Sequence, residues 1–188
     1  MIEEKLIDVS GSEHWAILSG LFAKLDKNEI KHILDAGSGK TSLSCLLTYF
    51  DQSQVDAVVF PGDERKISSV RNFVVSDRYK LHEYDICVAP VDGEYDLVLA
   101  HLLLGEAAKW GNKFGDLLKK LLDIQSRYFV ILDFSEDPNI DYGYLTDYLA
   151  NNGFELVAQD SIKKQEPQEF DDFVGQTYVA FLIKNNRL

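Results

Sequence analysis

The apolar residues Trp15, Leu18, Leu21, Phe22 and Leu25 recur at three- and four-residue intervals, the spacing of one helical face. Ser10 is the expected cap, with Glu13 completing a capping box, and the helix is expected to end near Asp26–Asn28. The short branched segment Ile30–Leu34 then runs directly into Asp35-Ala36-Gly37-Ser38-Gly39, a strand followed by a glycine turn. Ser42–Phe50 reads as the helix leaving that turn. Val55–Phe60 is apolar apart from Asp56, as a strand covered on both faces should be. Pro61-Gly62 breaks the chain, and Asp63 is placed to cap a helix through about Asn72. Further strands are expected at Lys80–Asp85, Tyr95–Ala100 and Tyr128–Asp133, with a helix from about Lys113 to Ile124 before the last of these.

Tyr142–Asn151 predicts one more helix, stopped by Asn152-Gly153. The pattern then changes. Phe154–Gln159 and Tyr178–Ile183 are strands separated only by the charged run Lys163–Asp172, and two adjacent strands without a crossover helix pair antiparallel. The alternation therefore predicts an α/β sheet of strand–helix units, closed by an antiparallel pair at one edge. No repeat or linker interrupts it, so 1–188 is expected to be one domain, with 1–28 as a helical cap and 161–177 as an excursion between the last two strands.

Composition narrows the function more than the fold. With 19 basic and 31 acidic residues the net charge is -12, which repels a polyphosphate backbone and argues against broad nucleic-acid binding. The mildly basic stretch containing Arg65, Lys66, Arg71, Arg78 and Lys80 is read as a solvated helix face. Two isolated cysteines, Cys45 and Cys87, support neither a disulfide framework nor a cysteine-rich zinc site. The opening residues are acidic where a secretory signal is basic, and no apolar run approaches the ~18 residues of a membrane span. The expectation is a cytoplasmic protein.

The glycine turn carries the sharpest chemistry. Gly37 and Gly39 let backbone approach a ligand closely, and the following helix presents unpaired N–H groups. GSGKTS resembles part of a phosphate-binding loop, but with lysine at 40 the first glycine of that pattern belongs at 34, which is Leu34. A dinucleotide turn wants a third glycine where Ser42 stands. A tight turn that binds nothing is the plain alternative.

The order of elements together with Asp35-x-Gly37-x-Gly39 resembles the class I S-adenosylmethionine-dependent methyltransferases, over most of the chain from about Ser12. The resemblance implies a Rossmann-like three-layer sandwich, whose mostly parallel seven-stranded sheet has its last strand inserted antiparallel beside the sixth. It implies S-adenosylmethionine as cofactor, with Asp35, Ala36, Gly37, Ser38 and Gly39 around its methionine part. Asp85 is matched to the acid that binds the adenine amino group, with Ile86 beside the ring. Tyr95-Asp96 matches the family's aromatic–acid opening of the fourth strand, and His101 falls where the family lines the pocket near cofactor and substrate.

Departures from the pattern are equally specific. Thr41 holds the place of the third glycine, and Phe60 stands where the family offers an acid to the ribose hydroxyls. Asp63 is then the candidate for that work, or simply a helix cap. Lys40 is unexpected beside a sulfonium cofactor. His101 is the candidate catalytic base or a packed histidine without a role, Glu106 a substrate-side candidate or part of the next helix, and the acidic run Asp133–Pro138 a substrate-side candidate or a solvated loop. The fourth strand lacks the Asn/Asp-Pro-Pro-Tyr-like string of amino-group methylating members, so a small-molecule acceptor is expected. No metal is expected, and the residues do not fix an oligomeric state. Loss of the ribose acid also fits a methyltransferase fold retained only for binding, and a nucleotide hydrolase is the remaining alternative.

Overall fold

The computed structural model describes residues 3–88, 91–164 and 177–188. Its elements follow in the order α1 (Glu13–Phe22), β1 (His32–Ala36), α2 (Lys40–Tyr49), β2 (Gln54–Val59), α3 (Glu64–Phe73), β3 (Tyr79–Glu83), β4 (Glu94–His101), α4 (Leu103–Lys109), α5 (Phe114–Leu122), β5 (Gln125–Phe134), α6 (Tyr142–Asn151), β6 (Phe154–Lys163) and β7 (Thr177–Asn185). The strands form one seven-stranded sheet in the order β3-β2-β1-β4-β5-β7-β6. β1 to β5 run parallel, and β7 lies antiparallel between β5 and β6. This is the expected Rossmann-like three-layer sandwich.

Alternation along the strands divides the core cleanly. Ile33, Val55, Ala57, Leu97, Leu99, Val130 and Leu132 pack with α1, α2 and α3. Leu34, Val58, Val98, Ala100, Phe129 and Ile131, one residue out of phase, pack with α4, α5 and α6. Burial on both faces explains why these strands read as continuous apolar runs rather than alternating ones.

Several boundaries move. Ser12, not Ser10, caps α1: its hydroxyl accepts the N–H of Trp15 at 3.1 Å, while Ser10 bonds Asp8. The helix ends at Phe22, and only residues 13–22 of the expected 1–28 cap are helical. Lys5 instead bridges to Val75 beside the sheet. β3 stops at Glu83, leaving Asp85 in the loop beyond it. β6 continues to Lys163, and most of the expected 161–177 excursion, residues 165–176, lies outside the described residues. The helix α4 has no counterpart in the periodicity of Leu102–Leu104, and it proves central to the site. Among the described residues no helix is long and apolar enough to cross a membrane.

Candidate functional site

The strand order reverses at β1, which pairs with β2 on one side and β4 on the other. Crossovers diverge there to opposite faces and leave a crevice at the carboxyl ends of the strands, the usual ligand position in open α/β sheets. A cavity of about 750 Å³ occupies this place. Its lining brings together five residues expected around the cofactor, Gly37, Phe60, Asp63, Asp85 and Ile86, and the substrate-side candidate Glu106. The others come from Pro61-Gly62, from Lys66 of α3, from Tyr84 and Cys87 around Asp85, and from α4 and the turn after it through Leu103, Ala107, Trp110 and Asn112.

The turn is built on Asp35. This fully buried carboxylate accepts hydroxyl hydrogens from Ser38 at 2.6 Å and Ser42 at 2.8 Å, both on Oδ2. Its Oδ1 is buried with no hydrogen-bond partner among the described residues. Burial pushes the carboxyl up to about 6, opposed by the two hydroxyls and by the positive charge of Lys66. Ala36 closes the strand. Gly37 follows with φ 74°, where a side chain is disfavoured, and a Cβ on it would lie 2.8 Å from Leu103 Cδ1. Ser38 donates its N–H to Val58 O at 2.6 Å, fastening the turn to β2. Gly39 takes the cap position of α2, with its N–H on Ser42 Oγ at 3.0 Å.

Leu103 reaches Gly37 because the chain leaves β4 through Leu102, whose φ of 55° is left-handed and costly for a leucine. The Leu102 N–H is held by Leu132 O at 2.8 Å, and the Asp133 carboxylate accepts the N–H of Gly105 at 3.0 Å. The acidic run after β5 is thus no solvated loop at its ends. Asp133 and Asp137 are both buried, and Asp133 secures the first turn of α4. Burial pushes Asp133 up to about 6; the backbone N–H groups of Gly105 and Phe134 oppose this and the charge of Asp137 adds to it.

Asp63 does cap α3, accepting the N–H of Lys66 at 3.0 Å, and it also lines the cavity. Phe60, 57% exposed, presents its ring there without a described aromatic partner. Asp85 accepts the Cys87 N–H at 2.9 Å, which holds the loop beyond β3 in a turn with Ile86 buried beneath it. Lys40 lies elsewhere, its ammonium 4.9 Å above the Phe73 ring. Asp96 is also distant from the cavity: it binds the N–H groups of Lys31 and His32 and pairs with Arg127 at 3.0 Å.

His101 ends β4 but does not line the cavity. Its Nε2 is 2.8 Å from Nδ1 of His14 on α1, and the His14 ring in turn lies 4.6 Å from that of Tyr178. Burial, with the charges of His14 and Lys66, holds His101 well below the usual histidine value, so the imidazole is neutral at physiological pH. His14 was not expected to belong with it, since 87 residues separate the two.

No family model matches this chain, and no curated protein does. Solved structures do. The StiE O-MT segment (residues 961–1257) superposes with a TM-score of 0.66 at 17% identity, covering 92% of this chain and 74% of that one. The 16S rRNA methylase RmtB gives 0.61 at 16% identity over 94% and 63%. An rRNA methylase from Escherichia coli gives 0.56 at 16% identity over 91% and 64%. At such identities the likeness is one of architecture. The chain has the Rossmann-like fold of the class I methyltransferases.

Proposed function

We propose that the cavity binds S-adenosylmethionine and that the chain transfers its methyl group to a small-molecule acceptor. The observation that carries this reading is the meeting of Gly37, Phe60, Asp63, Asp85 and Ile86 around one cavity at the β1–β4 switch point, although they are spread from residue 37 to 86. The chemistry of these groups suits the cofactor. Asp35, buried beneath the turn and outside the lining, keeps an unpartnered carboxylate oxygen as the acceptor nearest an ammonium group at Gly37, the turn residue that does line the cavity. Asp85 is placed for an amino group on a purine, with Phe60 and Ile86 supplying apolar surface for the ring. Asp63 is the acid available to ribose hydroxyls, Phe60 having taken the usual place.

When bound, S-adenosylmethionine supplies a methyl carbon made electrophilic by the attached sulfonium. The protein's share is then orientation and exclusion of water rather than covalent chemistry. Leu103, held over Gly37 by the Leu102 conformation, closes the turn side of the cavity. His101, neutral and paired with His14, lies outside the cavity lining, so the base expected there is not assigned to it. RmtB and the Escherichia coli protein are rRNA methylases by name, but the net charge of -12 separates this chain from proteins that read a phosphate backbone and favours a small acceptor.

Calorimetric titration of S-adenosylmethionine and S-adenosylhomocysteine, with magnesium-ATP for comparison, tests the reading. Micromolar binding of the first two is expected, lost with Gly37→Val, which must drive a branched side chain into Leu103. Asp85→Ala is expected to weaken it about tenfold to a hundredfold, the range for one hydrogen bond to a charged group. His101→Gln, outside the lining, is expected to leave both affinities unchanged. A folded protein that binds neither adenosyl compound would sink the proposal.

A further inference from the structure

Lys66 is the only cationic side chain among the described residues lining the cavity, where Asp63, Asp85 and Glu106 supply negative charge. It stands in the first turn of α3, its N–H fixed on the cap residue Asp63, so the side chain departs from the end of the helix that borders the cavity. It is half-buried, and among the described residues its ammonium makes no ion pair or hydrogen bond. Its charge also acts on Asp35 of β1 and on His101 of β4. Asp35 nonetheless keeps an unpartnered oxygen, so Lys66 is not simply its counter-ion. A half-buried lysine with no ion pair or hydrogen bond among the described residues, standing in the lining of a cavity whose other charged groups are acids, is positive charge available to whatever the cavity holds.

We infer that Lys66 gives the cavity an anion-binding end, which receives a carboxylate or phosphate group. The inference rests on the proposed cofactor reading only for the source of that anion. The source is either the amino-acid carboxylate of the cofactor or an acidic group on the methyl acceptor, and in the second case the substrate class is an organic acid or phosphate ester. Lysine suits the task as a compact point charge on a flexible stem, able to follow the anion without a fixed fork geometry.

The experiment compares wild type with Lys66→Met, Lys66→Arg and Lys40→Met. Lys40→Met removes one positive charge outside the cavity and controls for the general field. S-adenosylhomocysteine and 5′-methylthioadenosine, which lacks the amino-acid part, are titrated by calorimetry. Inorganic phosphate is then titrated into the protein with and without S-adenosylhomocysteine and followed by NMR of ¹³C-methylated lysines, where Lys66→Met identifies its own resonance by removing it. A tenfold or greater loss of S-adenosylhomocysteine affinity in Lys66→Met, with methylthioadenosine unchanged, assigns the anion to the cofactor. Unchanged cofactor affinity, with a phosphate-dependent shift of the Lys66 resonance and at least tenfold weaker phosphate binding in Lys66→Met, assigns it to the acceptor. Lys66→Arg is expected to restore part of either effect, and Lys40→Met to reproduce neither. Changes below twofold for both ligands in Lys66→Met overturn the inference. If wild type binds no adenosyl compound, the cofactor reading fails while phosphate binding at Lys66 is still decided in the same samples.

Discussion

At the scale of single residues, the pair Asp133 and Asp137 is where the chain works against itself. Both are buried, Asp137 Oδ2 has no hydrogen-bond partner among the described residues, and the two carboxylates converge on Gly105. A Cβ at that glycine would meet Asp137 Oδ2 at 2.5 Å and Asp133 Oδ1 at 2.9 Å. The folded state raises Asp133 to about 6, so it binds that proton more tightly than the unfolded chain does. Its contribution is therefore fully present below the ordinary carboxylate range and lost as pH rises through about 6. Asp137→Asn removes a charge and places an amide donor beside Asp133. It is expected to stabilise the protein by about 1–3 kcal/mol at pH 8, the cost of one unsatisfied buried group. The gain should shrink below pH 4, and melting curves at the two pH values check this. A run of acids in the sequence gives no sign of this, because solvated and buried carboxylates are spelled alike. Gly37 was legible for the opposite reason, a glycine turn after a branched strand having few alternative uses, whereas Asp85 was singled out through the family resemblance alone.

The elements owe their ends to long-range partners as much as to local signals. Arg78, before β3, donates to Leu47 O at 2.9 Å and Phe50 O at 3.0 Å, satisfying carbonyls at the C-terminus of α2. The same guanidinium grips Glu4 at 2.6 Å, tying the N-terminal segment to this corner. The Arg78 hydrogen bond holds Glu4 below its usual value against a small opposing effect of burial. That pairing contributes above the ordinary carboxylate range and is lost as pH falls through the lowered value. Arg78→Ala is expected to cost about 1–2 kcal/mol, mostly from the orphaned helix carbonyls, since the Glu4 side chain is partly exposed and its share is screened. Urea unfolding of the variant measures the loss, and Arg78→Lys should recover little of it because one ammonium cannot span both carbonyls and the carboxylate. Arg78 had been read as part of a solvated helix face. Similarly, α4 escaped the hydrophobic period because it has only seven residues and is held by Asp133 rather than by a cap of its own.

For the whole molecule, the sheet was legible because strands buried on both faces announce themselves as branched apolar runs and because the sequence between the last two strands carries no helical period, which predicts an antiparallel pair. The site was legible only where it lies on that framework. Its other wall, Leu103 to Asn112, depends on a left-handed leucine and a buried aspartate, and the His14–His101 contact outside it joins residues 87 apart in the sequence. Neither leaves a local trace.

The placing of β7 between β5 and β6 has a consequence in time. During synthesis β6 emerges with no neighbour to join, and β5 keeps one side bare, until Thr177–Asn185 leaves the ribosome and threads into the gap. Assembly is thus a late-committing process, with two unsatisfied backbone ladders waiting on one segment. A chain halted after residue 176 is expected to stay bound to chaperones or precipitate, and supplying 177–188 as a separate peptide should return soluble, cooperatively melting protein. Until β7 is in place, the facing edges of β5 and β6 stay open to pairing with another chain, which makes the unclosed sheet the aggregation-prone species.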